Sequence, residues 1–320
     1  MFWHPVRDAD LEACLEIEPG HMGAELVGRQ RALDAWRWLL HSPAFNGAVF
    51  EAEHATQSRR YVVGIGTSAF VLSSFADDEI ANPRPGLNAR IISSIVERRP
   101  VVLTYEQLRE GNTHSGLQLV VLTATCALQA VSPDQLPEFF AFMSSIFDRH
   151  HAGYRIVRIL YEAIGEFELK VHAATGVSRV VRHFGDHRSL YSITRESSMA
   201  MTGSVVSNIF IERRPVLGLG QAEQQLLLAA LDELTDEELG QQLNLHVGTV
   251  KKRWIRIFDR VAHVFPSLFS NNHSASDDHA RGKQKRHRVL AYVREHPEEL
   301  RPYETDDLVG SSAGDDHARL

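Results

Sequence analysis

The sequence predicts an α+β protein in which a mixed, mostly antiparallel sheet domain over residues 1–214 precedes an all-α segment. Two observations carry that expectation. Before Pro215, short runs rich in β-branched residues alternate with stretches of helical period; after it, apolar residues recur three and four apart and strand-like runs cease. The chain of 320 residues, 43% of them apolar, is long enough for two separate cores.

The elements follow in order. Phe2 to Val6 reads as a strand, with Asp8 as a cap before a helix carrying Leu11, Leu15 and Ile17. Arg29 to His41 places Leu33, Trp36, Leu39 and Leu40 on one helical face and stops before Pro43. Ala48 to Glu53, Tyr61 to Val71 and Leu117 to Leu128 read as strands, with Leu87 to Arg98 and Gln135 to Arg149 as intervening helices. Tyr154 to Ala173 is expected to be a longer helix, and Val177 to His183 with Leu190 to Thr194 a closing hairpin. Val205 to Ile211 then leads into the charged exit Glu212, Arg213, Arg214, Pro215.

Thr235 and Glu238 have the spacing of a capping box, so a short helix starts there; Leu239 and Leu243 lie on its inner face and Asn244 closes it in a left-handed conformation. A second helix carries Val247, Val250, Trp254, Ile257, Phe258 and Val261 as an apolar stripe, with Lys251, Lys252, Arg253, Arg256 and Arg260 on its other faces. Long cations on an exposed helix can neutralise phosphates, and Thr249 and Lys251 near its start can reach base edges in a major groove. A solvated face on a small helical bundle accounts for the same charges. Residues 270–283 read as a flexible linker, 284–304 as a basic helix and 305–320 as a disordered acidic tail.

The stretch from Gly220 to Val261 resembles the LuxR-type helix-turn-helix, with Glu223, Leu227, Glu238, Leu239, Leu243, Val247, Thr249, Val250 and Lys251 at matching positions. Gln221, His246 and Trp254 depart from that pattern. The resemblance implies a DNA-binding domain over residues 215–269, with Thr249, Lys251, Lys252, Arg253 and Arg256 meeting double-stranded DNA. Several earlier segments are similar to the GNAT acyltransferase fold: VRDADLEACLEI to its first strand and helix, YVVGIGTSAFV to an early strand, GLQLVVLTATCAL to the central one. That resemblance implies a phosphate-gripping turn at RHHAGYR, where Gly153 is the only glycine.

Candidate chemistry is sparse. Glu162, Glu166 and Glu168 are possible general bases and Tyr161 and Tyr191 possible acids, although glutamates at such spacing are usually a helix's solvated face. His150 and His151 are adjacent, which is not the i, i+4 spacing that clasps zinc; Cys126 reads as a buried small hydrophobe. Gly64 and Gly66 lack the third glycine of a dinucleotide fingerprint and are read as close packing or a strand bulge. No residue is assigned a catalytic role, and neither a metal nor a cofactor is expected. Two cysteines are too few for a disulfide framework, and no apolar run is long enough to span a bilayer, so the expected location is the cytoplasm. A net charge of −7 is unhelpful for general coating of DNA, so binding would have to use local patches. The expected function is a DNA-binding transcriptional regulator whose first domain senses a small-molecule effector, with a homodimer compatible with paired half-sites. The alternative is an acyl-CoA-dependent N-acetyltransferase with a helical appendage.

Overall fold

The computed structural model describes residues 1–17, 22–53, 60–127, 131–166, 168–169, 178–185, 187–200, 205–269 and 278–304. They form two units: Met1–His151 with Arg155–Ile211, and Ala152–Tyr154 with the described residues from Glu212 onward.

The first unit has an α+β fold built on a seven-stranded sheet in the order β1-β2-β3-β4-β5-β7-β6. The strands are β1 (Phe2–Pro5), β2 (Phe45–Glu53), β3 (Arg60–Val71), β4 (Leu117–Cys126), β5 (Ile156–Ile164), β6 (Arg179–His183) and β7 (Arg188–Thr194). Neighbours are antiparallel except β4 and β5, which run parallel. Helices α1 (Leu11–Ile17), α2 (Ala24–Val27) and α3 (Arg29–Leu40) separate β1 from β2. Between β3 and β4 lie α4 (Ser73–Ala81), α5 (Leu87–Val96) and α6 (Tyr105–Glu110). The long helix α7 (Leu136–His151) makes the parallel crossover, and α8 (Arg195–Met199) follows β7.

One strand differs from expectation. Ile156–Ile164 lies within the stretch read as a long helix, yet it is a central strand. Its residues Ile159 through Ala163 are all buried, because elements cover both faces of the sheet there. A strand buried on both sides loses the alternation that marks a half-exposed one, and its continuous apolar run mimics a helix. The expected cap at Asp8 also moves: Asp10 is the residue whose carboxylate accepts from the Arg7 N–H, at 2.7 Å.

On one face, Phe139, Met143 and Ile146 of α7 pack with Ala48, Phe50, Val63 and Cys126. On the opposite face α5 is anchored at both sides of the parallel pair. Its Asn88 amide donates to the Leu122 carbonyl of β4, and the Glu162 carboxylate of β5 accepts from the Gly86 and Leu87 N–H groups at the helix start.

The second unit has its own core of Leu217, Leu226, Leu227, Leu239, Val250, Trp254, Ile257, Val261, Val289 and Val293, among others. These residues come from α9 (Gln221–Ala230), α10 (Asp236–Gln242), α11 (Val247–Val264), α12 (Asp278–Glu295) and their connections. Helix α12 begins at Asp278, within the stretch read as linker, and contributes to the same core. The local signals behave as their chemistry dictates. Thr235 accepts from the Glu238 N–H while the Glu238 carboxylate accepts from the Thr235 N–H; Asn244 has φ of 52°; and the His246 ring accepts from the Gly248 N–H at 3.1 Å. Among the described residues no helix is long and apolar enough to cross a membrane.

Candidate functional site

A cavity of about 270 Å³ lies in the first unit, between the sheet and α7. Its floor follows from side chains that are nearly absent. Ala48, Gly66 and Ala124 stand in register across β2, β3 and β4, so three adjacent strands each present a minimal side chain at one level. Gly66 is open: a Cβ built there meets nothing nearer than Phe50 at 3.7 Å and Met143 at 3.8 Å. Gly64, one pleat away, is packed tightly, since a Cβ there falls 2.7 Å from the Phe139 ring. Of the two glycines read together as close packing or a strand bulge, Gly64 is packing and Gly66 makes space. Phe50, Phe140, Met143, Phe147, Ile159 and Ile193 supply apolar walls.

The cavity reaches the place where the sheet opens. Pairing between β4 and β5 runs from Leu117↔Ile156 to Val121↔Tyr161 and ends there, although both strands continue. The register of β3 against β4 steps at the same level, from Thr67↔Thr123 to Ser68↔Val121, leaving Leu122 as the extra residue of a bulge. Thr123 and Ala124 of β4 and Tyr161 of β5 line the cavity at this opening.

Three polar pairs are set into the lining. Thr67 and Thr123 join hydroxyls at 2.6 Å. The Tyr161 hydroxyl donates to the Glu168 carboxylate at 2.7 Å, and the same carboxylate oxygen accepts from the Ile164 N–H at 2.8 Å. The Ser68 hydroxyl meets His151 Nε2 at 2.8 Å, and His151 Nδ1 meets the Phe147 carbonyl at 2.7 Å. Cys126, at the end of β4, has its thiol pushed up to about 11 by burial and by the nearby negative charge of Glu168. At neutral pH it is a buried thiol and not a thiolate nucleophile.

The structure sorts the other residues singled out in the sequence. Glu162 is buried and holds the start of α5, with Arg188 3.8 Å away, so it faces a separate cavity of about 250 Å³ on the opposite side of the sheet. Glu166 is exposed, and Tyr191 is buried on β7 opposite Tyr161. His150 packs edge-on against Trp3, with ring centres 5.3 Å apart. Among the described residues no group of three or more His, Cys, Asp or Glu side chains forms a metal site. Gly153 is not a phosphate turn: it follows the C-terminal end of α7, where exposed carbonyls carry the negative end of the helix dipole. The space beside it is also taken, since a Cβ there would run into the Glu298 backbone. The anion-attracting end of that helix is the other one, near Ser132 to Leu136.

In the second unit Thr249, Lys251, Lys252 and Arg256 are exposed on α11. Arg253 donates to the Ala222 carbonyl at 3.2 Å and Arg260 to the Gly218 carbonyl at 2.6 Å, so part of this basic cluster ties the helices to one another. The five residues expected to meet DNA thus share one helix without defining what that helix meets.

No family model matches the chain. Among solved structures it is similar to that of FeeM, an N-acyl amino acid synthase from uncultured soil microbes, with a TM-score of 0.35 and 11% identity over 63% of this chain and 94% of that one. The expectation of a LuxR-type, DNA-binding transcriptional regulator is corrected: a solved structure that the chain is similar to is that of an N-acyl amino acid synthase, and the helix, turn and basic helix are local geometry. What the first unit can do is set by its own cavity.

Proposed function

We propose that the first unit is an acyltransferase that seats the chain of an acyl thioester in the α7 cavity and passes the acyl group to an amine. The observation that supports this most directly is the cavity itself: apolar walls over a floor of Ala48, Gly66 and Ala124, ending at the opening between β4 and β5. Walls of that kind favour methylenes, each worth about 0.8 kcal/mol when buried. An extended, amide-bearing thioester arm fits beside strand edges that have stopped pairing with each other, because strands satisfy such groups by adding another strand.

Glu168 is the base in this reading. Its carboxylate draws a proton from the incoming ammonium, the freed nitrogen lone pair attacks the acyl carbonyl, and the C–S bond breaks as the C–N bond forms. The proton that nitrogen then sheds passes through the Tyr161 hydroxyl, already held by Glu168, to the departing sulfur, and Glu168 releases the ammonium proton to solvent. The test is thiol release from acyl-CoA donors of graded chain length in the presence of a panel of amines. Amine-dependent release is expected, falling about a hundredfold or more in Glu168→Gln. Absence of both chain binding and thiol release across the donor series refutes the proposal.

A further inference from the structure

Ser68 and His151 are not used in that chemistry, yet both line the same cavity and both are 1% exposed. Their hydrogen bonds fit one arrangement of the protons. A carbonyl oxygen only accepts, so the bond from His151 Nδ1 to the Phe147 carbonyl places the proton of the neutral ring on Nδ1. Nε2 then offers a lone pair, and the Ser68 hydroxyl, 2.8 Å away, donates to it. A serine whose proton points into an imidazole lone pair, with the ring oriented from behind by a third group, has the arrangement of an activated nucleophile. The Phe147 carbonyl, from the last turns of α7, takes the orienting place that a carboxylate often fills. The backbone favours this aim: the β4 bulge falls between the partners of Thr67 and Ser68.

We infer that Ser68 carries the acyl group covalently, with His151 as its base. This rests on the acyltransferase reading and changes the route from one displacement to two. In the first, Ser68 Oγ attacks the thioester carbonyl, its proton moves to His151 Nε2, the C–S bond breaks, and His151 returns that proton to the leaving sulfur. In the second, an amine freed of its ammonium proton by Glu168, or a water molecule, attacks the ester. Its proton passes through Nε2 to Ser68 Oγ as the C–O bond breaks, which restores the pair.

The test uses the full chain and the octanoyl thioester of N-acetylcysteamine, quenched in acid, digested and analysed by mass spectrometry. The expected result is an octanoyl ester on the peptide containing Ser68, lost in Ser68→Ala and formed about a hundredfold more slowly or worse in His151→Gln. Ser68→Cys keeps the side chain's size and is expected to move the label onto sulfur as a hydroxylamine-labile thioester, which separates loss of the nucleophile from loss of the fold. No label at residue 68 in a chain that still transfers octanoate to an amine overturns the covalent route and leaves the acyltransferase reading standing. No label, no transfer and no binding of the chain overturns both. A label at Ser68 cleared only by water supports the pair and overturns the amine as acceptor.

Discussion

Gly66→Val tests the cavity most directly, because the change fills space without straining the backbone. Gly66 lies in the middle of β3 and its φ is not in the left-handed region, so a β-branched residue suits the strand. The new Cβ meets Phe50 and Met143 at ordinary contact distances of 3.7 and 3.8 Å, and the flexible Met143 end yields to the methyls. Valine puts three carbons where a bound chain would lie. Excluding about three methylenes at about 0.8 kcal/mol each removes about 2.4 kcal/mol from the binding of a chain that reaches the floor. At 1.4 kcal/mol per decade this is about fifty-fold in Kd. Titration calorimetry with acyl thioesters of increasing length should show the affinity of the native chain rising with each methylene to a plateau, and that of the variant stopping about three carbons earlier. Short donors should bind both equally. A folded Gly66→Val protein with an unchanged length profile refutes the placement of the chain over this floor.

Other tests address separate features. Alkylation of Cys126 by iodoacetamide should be slow at neutral pH, since its thiol is held at about 11, and Glu168→Gln should accelerate it by removing a charge that raises that value; an unchanged rate would remove Glu168 from the end of β4. In the second unit, Trp254→Ala should cost about 3 to 5 kcal/mol in thermal or urea melts, because the ring is 5% exposed and packs within the helical core. Glu299 is buried, accepts from the Val216 and Leu217 N–H groups at 3.0 Å, and has its pKa raised, chiefly by burial. A carboxyl raised in the folded state holds its proton more tightly there. Its contribution is therefore fully present below the unfolded value and lost as pH rises through the folded one. Glu299→Gln should flatten that fall in Tm between the two values, and an unchanged slope would assign it to other groups. The opposite sign is expected of Glu238, whose pKa is lowered by the Thr235 N–H: its contribution is present above the unfolded value and lost as pH falls through the folded one, so Glu238→Gln should remove that loss.

β2, β3 and β4 were legible from apolar and β-branched runs, although β3 and β4 hold buried runs as unbroken as that of β5, and so were the β6–β7 hairpin and the helices with an apolar stripe. The short signals around Thr235, Glu238 and Asn244 were legible because they act within four residues of chain. β5 was not: with its period erased by burial on both faces, Arg158 and Glu162 four apart read as one face of a helix. The cavity was illegible for a different reason. Ala48, Gly66 and Ala124 carry no chemistry individually, and they become a floor only through two strand registers that alternation leaves undetermined by multiples of two residues. Ser68 and His151 likewise meet only after β3 and α7 have been placed. The visible cue was Gly66 itself, a glycine interrupting an otherwise strong strand. A glycine marks either crowding or space, and only the neighbours decide which. The basic helix shows the reverse error, in which a correct local structure was given a partner that local structure does not specify.

Three small residues at one level of three adjacent strands weaken a sheet core that larger side chains would fill. Gly66 forgoes both the packing of a β-branched residue and the restriction of the unfolded chain that any Cβ provides. Gly66→Val should therefore melt higher than the native chain while binding long chains less well. That opposition separates a binding cavity from a packing defect, because filling a defect improves stability at no functional cost, whereas filling a seat for a ligand improves it by occupying the seat. The reciprocal effect follows by mass action. A long-chain thioester should raise the Tm of the native protein by an increment that grows with its concentration, and the same addition should do little to the valine variant.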